Sequence, residues 1–167
     1  MSDCLTQNNT CDFYVPGQYK PEQSLGYLIK KVLSSIVMEA DQRLASFDLT
    51  YVQWFPLYKL AQAQDITMAH LARDFQIDPA AMSRSLDRME SKGLVVRRRS
   101  QSDRRVVHLE LTSEGRVVAE KVKGVLAGVL NDHLRGFSQQ EWETLVQLLT
   151  KMLQNAEAMR MDLNPAK

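Results

Sequence analysis

Apolar residues recur along most of this chain at three- and four-residue steps, the spacing that keeps one face of a helix turned toward a core. Leu25, Leu28, Ile29, Val32, Leu33, Ile36, Val37 and Ala40 form the first such stripe and predict a helix beginning near Ser24. Thr50 is an N-cap residue type, and a second helix is predicted after it, carrying Val52, Phe55, Leu57, Tyr58, Leu60 and Ala61 to about Gln64 with Pro56 inside. Residues 1–20 lack any period and are punctuated by Asn8, Asn9, Pro16 and Gly17, which reads as a loose tail.

Two short helices follow. Thr67 can cap a helix Met68–Phe75 with Leu71, Ala72 and Phe75 inward, and Gln76, Ile77 and Asp78 make a tight connection. Asp78 then caps a helix that opens on Pro79, where the missing N–H is no loss, and runs to about Lys92 with Gly93 behind it. Met82, Leu86 and Met89 mark its inner face. Two short helices joined by a three-residue turn predict a helix-turn-helix.

After Gly93 the period changes to two. Leu94–Arg99 and Arg105–Leu111 predict two strands, with Val107, Leu109 and Leu111 on one side and Val106, His108 and Glu110 on the other. Ser100 to Arg104 form the polar hairpin between them. Thr112 starts a long helix to about Arg135, with Val118, Val122, Val125 and Val129 at 4-3-4 spacing. Gly136 stops it. Ser138 and Glu141 form a capping box for a last helix carrying Leu145, Leu148, Leu149, Met152, Leu153 and Ala156.

The expected fold class is therefore mainly α: a winged helix-turn-helix with a two-stranded β wing and N- and C-terminal dimerisation helices. Its expected parts are a flexible N-terminal tail (1–23), a dimerisation helix (24–48), the DNA-binding winged helix-turn-helix (49–111) and C-terminal dimerisation helices (112–167). Dimerisation is expected because the terminal stripes carry more apolar surface than a small core can cover. Gly124 and Gly128 each cost about 1 kcal/mol in an exposed helix interior, which close helix contact would explain.

Composition sets the outer bounds. The chain has 167 residues, 25% charged and 44% hydrophobic, which suits one soluble domain or a subunit of a small oligomer. No apolar run approaches the roughly 20 residues that cross a bilayer. The first 20 residues hold Asp3 and Asp12 and no long apolar stretch, so a signal peptide is not expected and the cytoplasm is the expected address. Cys4 and Cys11, both ahead of the first stripe, exclude a disulfide framework or a cysteine-rich metal site.

A net charge of +1 argues against a nucleic-acid partner only on the scale of the whole chain. From Arg84 to Arg105 there are eight basic residues against three acidic, a surplus of five, and the remainder holds 13 against 17, a deficit of four. A concentrated basic centre is an electrostatic footprint for polyanions, the plain alternative being a solvated charged face. On the second helix of the pair, the positions away from the inner face are Ala80, Ala81, Ser83, Arg84, Asp87 and Arg88. Small residues at Ala80 and Ala81 permit close approach to a major groove, where Arg84 could pair with guanine, Ser83 with phosphate or base, and Arg88 with the backbone. Asp87 could instead hold a neighbouring Arg.

The run from Pro79 to Arg88 (PAAMSRSLDR), Met89 to Val95, Arg97, Asp103-Arg104-Arg105 and Leu111-Thr112-Ser113-Glu114-Gly115 resembles the multiple antibiotic resistance regulator (MarR) family over about Leu25 to Met159. The resemblance implies a homodimeric winged-helix regulator of an inverted-repeat operator, usually a repressor. It implies that Arg105 enters the minor groove at the wing tip with Asp103 orienting it, a role that suits the negative potential of a narrow minor groove. Arg97, Arg99 and Arg104 complete the candidate DNA-binding set. The competing reading is that Asp103 only caps the hairpin turn and Arg105 is a surface residue.

Family members commonly bind anionic aromatic compounds such as benzoates and phenols. Tyr51, Trp54, Phe55 and Tyr58 supply aromatic surface, and Arg43, His70, Arg84 and Arg97 are candidate cations for a carboxylate. Plain core packing of these aromatics is the competing reading. Thiol-based redox sensing by Cys4 or Cys11 is an alternative, although neither has a basic cluster to lower its pKa. A winged helix serving only as a protein-interaction module is another. His70, His108 and His133 stand apart without metal-ligand spacing, and no nucleotide or hydrolase motif occurs, so neither metal, cofactor nor enzymatic activity is expected.

Overall fold

The computed structural model describes residues 12–100 and 106–163, the last three as backbone only. The chain divides into two compact units, residues 1–51 and 52–167.

In the first unit, two single 3-10 turns, Pro16–Gln18 and Pro21–Gln23, lead into helix α1, Leu25–Leu44. Both turns open on proline, whose fixed φ suits a tight turn. Ser24 caps α1 by accepting from the Tyr27 amide, and the Tyr14 hydroxyl accepts from the Leu25 amide at 2.8 Å. Residues 12–23, expected as part of a loose tail, are thus tied to the helix by satisfying its first donors. Leu25, Leu28, Ile29, Val32 and Leu33 are exposed, whereas Ala40 and Leu44 are buried. A further 3-10 turn, Ala45–Phe47, ends at Asp48 in the left-handed region (φ 54°), a conformation that Asp tolerates better than most side chains. Asp41 accepts from the Tyr51 amide at 2.5 Å, so an acid ten residues back serves the first donor of the next helix.

Helix α2, Tyr51–Gln62, carries the chain into the second unit and stops two residues before the expected end. Pro56 is buried inside α2, where it removes one backbone bond without ending the helix. Helices α3, Met68–Asp74, and α4, Pro79–Ser91, form the helix-turn-helix. Thr67 caps α3 and Asp78 caps α4, accepting from the His70 and Ala81 amides. Leu71 and Ala72 of α3 are buried, as are Met82, Leu86 and Met89 of α4. Lys92 closes α4, and Gly93 adopts the positive φ (69°) that reverses the chain into the wing.

Strands β1, Val95–Arg99, and β2, Val107–Leu111, pair antiparallel with Val95 opposite Leu111 and Arg99 opposite Val107. β1 begins one residue later than expected, at Val95, and β2 begins at Val107 with Val106 ahead of it; Arg105 lies outside the described residues. Ile66 adds a single bridge to Leu109, whose amide donates to the Ile66 carbonyl at 2.8 Å. Leu109 and Leu111 are buried but Val107 is exposed, because β2 reaches the core only in its second half. His108, expected to face outward, is half-buried, with Nδ1 3.8 Å from an Asp65 carboxylate oxygen.

Helix α5, Ser113–His133, is capped by Thr112, which accepts from the Gly115 amide at 2.9 Å. Val118, Val122 and Val129 are buried and Val125 is half-buried, which follows the 4-3-4 spacing. Among the described residues a β carbon on Gly124 would meet nothing within 4 Å, so none of them makes the close contact expected there. Gly136 (φ 90°) ends the segment, and helix α6, Gln139–Leu163, begins with the Ser138–Glu141 box. Leu145, Leu148, Leu149, Met152 and Leu153 of α6 are all exposed. Among the described residues no helix is long and apolar enough to cross a membrane.

Candidate nucleic-acid interface

The side of α4 that meets the core decides what its other side presents. With Met82, Leu86 and Met89 fully buried, the 3.6-residue period turns Ala80, Arg84, Asp87 and Arg88 outward, while Ala81 and Ser83 sit half-buried at the edges. The Asp78 carboxylate at the N-terminus accepts from Ala81 at 3.0 Å, so the first turn is held where a recognition helix would approach a groove. Arg84, Arg88 and Arg99 make no ion pair among the described residues, which leaves three exposed guanidinium groups on α4 and β1.

Two wing arginines are engaged within the chain. Arg97 donates through Nη2 to Asp87 at 2.6 Å and through Nη1 to Glu90, so one guanidinium spans two carboxylates of α4. The hydrogen bond to Asp87 raises the Arg97 pKa above its ordinary value, with the charge of Glu90 adding to the effect and partial burial opposing it. Arg98 donates to Glu110 across the strands at 2.8 Å. Asp87 and Glu90 are already subtracted in the surplus of five, so the pairing changes which guanidinium groups are available more than the sum: Arg97 and Arg98 are engaged, and of their partners only Glu110 lies outside the counted stretch. The pairing of Asp87 with a neighbouring Arg was readable from the sequence. The second carboxylate was missed, although Asp87 and Glu90 stand three residues apart and so share a helix face.

Asp103, Arg104 and Arg105, the expected wing-tip residues, lie outside the described residues, as do Cys4 and Cys11.

The candidate ligand residues fall in both units. Arg43, in the first unit, pairs with Glu39 at 2.7 Å one turn earlier on α1, and Tyr51 follows at the end of that unit. In the second unit the α2 aromatics gather on Phe75, the residue that follows α3: Phe55 stacks on Phe75 at 4.6 Å, and Trp54 meets Phe75 edge-on at 5.9 Å and Tyr58 at 6.1 Å. Phe55 is buried, Trp54 is half-buried and Tyr58 is exposed. His70 is exposed on α3. Phe75 belongs to this cluster, and its inward position on the short helix was the signal that could have placed it there. Among the described residues no group of His, Cys, Asp and Glu could hold a metal ion.

A capped helix pair with an exposed basic face, followed by an antiparallel hairpin and a long helix, defines a winged helix-turn-helix protein. The MarR family model matches residues 49–107, which run from the end of the first unit to the first residue of β2. The chain is similar to the reduced form of MarR from E. coli, at 30% identity over 78% of this chain and 96% of that one, with a TM-score of 0.70. It is also similar to S. aureus MepR in a MepR–DNA complex, at 27% identity over 79% and 98% of the two chains and a TM-score of 0.73. A third similar structure is a Mycobacterium tuberculosis MarR family protein in complex with salicylic acid, at 27% identity over 79% and 98% with a TM-score of 0.65. The chain belongs to the MarR family of transcriptional regulators.

Proposed function

We propose that this chain is a homodimeric, sequence-specific DNA-binding regulator, acting in the cytoplasm as a repressor that a small anionic aromatic ligand releases from an inverted-repeat operator. The observation that carries the reading is the outward face of α4, where Ala80, Arg84 and Arg88 are exposed beside a helix N-terminus capped by Asp78. Small residues would let the helix sit deep in a major groove, where Arg84 would read a base edge and Arg88 and Arg99 would meet phosphates. The wing tip, Asp103 to Arg105, would take the adjacent minor groove.

Dimerisation is supported by apolar surface that the described residues leave uncovered. Leu28, Val32 and Leu33 on α1 are exposed, and so are Leu145, Leu148, Leu149 and Leu153 on α6. A patch of that kind on each unit is what a second copy would bury. A two-fold dimer would present its α4 helices to successive major grooves, about 34 Å apart. A small aromatic acid is supported by the salicylic acid bound to the M. tuberculosis relative and by the aromatic cluster of Trp54, Phe55, Tyr58 and Phe75.

Fluorescence anisotropy with the duplex upstream of its own gene tests this reading. Expected are nanomolar binding, an affinity that falls steeply with salt, and release by millimolar salicylate or benzoate. Binding that is weak and indifferent to sequence would overturn the operator reading. An operator complex untouched by both acids would overturn the effector reading. Light scattering at two protein concentrations reads the dimer directly.

A further inference from the structure

Asp87 and Glu90 put two negative charges on the helix proposed to meet DNA, one turn apart and on one side. Coulomb's law makes them a disadvantage beside phosphates. Both are turned to the same guanidinium, that of Arg97 in the middle of β1, where Arg97 stands opposite Leu109. The three groups differ in exposure: the Arg97 side chain is 32% exposed, Glu90 38% and Asp87 57%. The arginine is the most covered member, with its fork directed back at α4 and not outward along the wing.

Between α4 and β1 lie only Lys92, Gly93 and Leu94. Gly93, at φ 69° and with open space where a β carbon would stand, is the pivot of that joint. The joint is spanned near its axis by backbone bonds from Gly93 to Glu90 and from Leu94 to Met89. The Arg97 fork spans it farther out, joining the third residue of β1 to two successive positions on the exposed side of α4. A planar guanidinium with five donors in a rigid array suits that task, whereas an ammonium would bind either carboxylate as a point charge.

We propose that Arg97 is a positioning residue, a two-carboxylate brace that fixes the wing root to the recognition helix so that both reach DNA at one separation. On this view Arg97 meets neither phosphate nor base. The inference rests on the DNA-binding reading for its consequence, but the brace itself has a readout without DNA.

The test uses Asp87→Asn, Glu90→Gln, Arg97→Lys and Arg97→Gln in the full chain. Met82, Leu86 and Met89 hold α4 to the core on its opposite side, and circular dichroism melts check that each variant stays folded. If the brace positions the wing, Asp87→Asn and Glu90→Gln each weaken operator binding by about fivefold even though they remove negative charge. Arg97→Lys, which keeps the charge but loses the fork, weakens it likewise, and Arg97→Gln lowers affinity without changing the dependence of log K on log salt. Tighter binding by the two acid variants, or a salt slope reduced by about 0.9 in Arg97→Gln, would overturn the brace and make Arg97 a phosphate contact. Hydrogen exchange on the free protein supplies the independent arm. Faster exchange of the β1 and β2 amides in Arg97→Gln supports the brace, and unchanged exchange overturns it. Should the wild-type chain bind no duplex, the operator reading fails and the exchange result still decides the brace.

Discussion

Gly115 lies so close beneath the carbonyl of Leu94 that a β carbon would overlap that oxygen and press on Leu111 Cδ2 at 3.3 Å. The first turn of α5 is docked on the start of β1, and Thr112 completes the joint. Its hydroxyl donates to the Gly93 carbonyl at 2.6 Å and accepts from the Gly115 amide at 2.9 Å. Ala normally stabilises a helix interior relative to Gly by about 1 kcal/mol. Here Gly115→Ala is expected to reverse that sign and destabilise by about 3 kcal/mol, since backbone cannot move aside as a side chain can. Urea denaturation measures it, and a variant as stable as the parent would show that no such contact exists.

Arg84 and Arg88 stand one turn apart on α4 but are expected to act differently. Arg84→Ala should cost about 1–3 kcal/mol on the operator and blunt discrimination at one base pair, the mark of a base contact. Arg88→Ala should weaken all duplexes alike and flatten the salt slope by about 0.9, the mark of a phosphate contact. Anisotropy against an operator and a panel of single-base variants separates the two patterns.

The Asp78 cap supplies the acceptor for the Ala81 amide at the start of α4. Asp78→Ala is expected to lose about 1 kcal/mol of stability, and Asp78→Asn, which keeps the acceptor, far less. Thermal melts of the pair check the difference. Equal losses would mean that charge, and not the hydrogen bond, matters at this helix end.

Glu141 accepts from the Ser138 amide and hydroxyl, each at 2.8 Å, and the backbone bond first, then the side-chain bond, holds its pKa below the ordinary glutamate value. The unfolded chain therefore takes up this proton more readily than the folded one, so the box stabilises α6 above the ordinary value of about 4.3 and fades as pH falls through the lower folded value. The gap in melting temperature between wild type and Glu141→Ala should be constant near neutrality and close below about pH 4. A gap unchanged in acid would remove ionised Glu141 from the account.

On α6, Leu149 is exposed between Leu145 and Met152 in the apolar stripe that the described residues leave uncovered. Burying a charge there in a dimer should weaken association by about 2 kcal/mol or more, so Leu149→Asp is expected to shift the protein toward monomer. Light scattering across a concentration series reads this, and an unchanged mass would place the interface elsewhere.

The order of the elements was legible in the sequence because each rule behind it is local. A period of 3.6 or 2, an N-cap at Ser24, Thr67, Asp78 or Thr112, and a left-handed glycine at 93 or 136 act over a few residues, and neighbouring side chains suffice to satisfy them. The starts of α1 and α2 fell where the pattern put them, and distant groups reinforce both: the Tyr14 hydroxyl takes the Leu25 amide and Asp41 that of Tyr51. The outward face of α4 was likewise legible, since its inner stripe implied it. What only the tertiary structure decided is which charges remain available on that face. Arg84, Arg88, Arg97 and Arg98 look alike along the chain, but folding brings Arg97 to Asp87 and Glu90, and Arg98 to Glu110, from seven to twelve residues away. A guanidinium answers to whichever carboxylate the fold sets within about 3 Å of it, and that separation is fixed by how β1 returns over α4 and pairs with β2, not by position in the sequence.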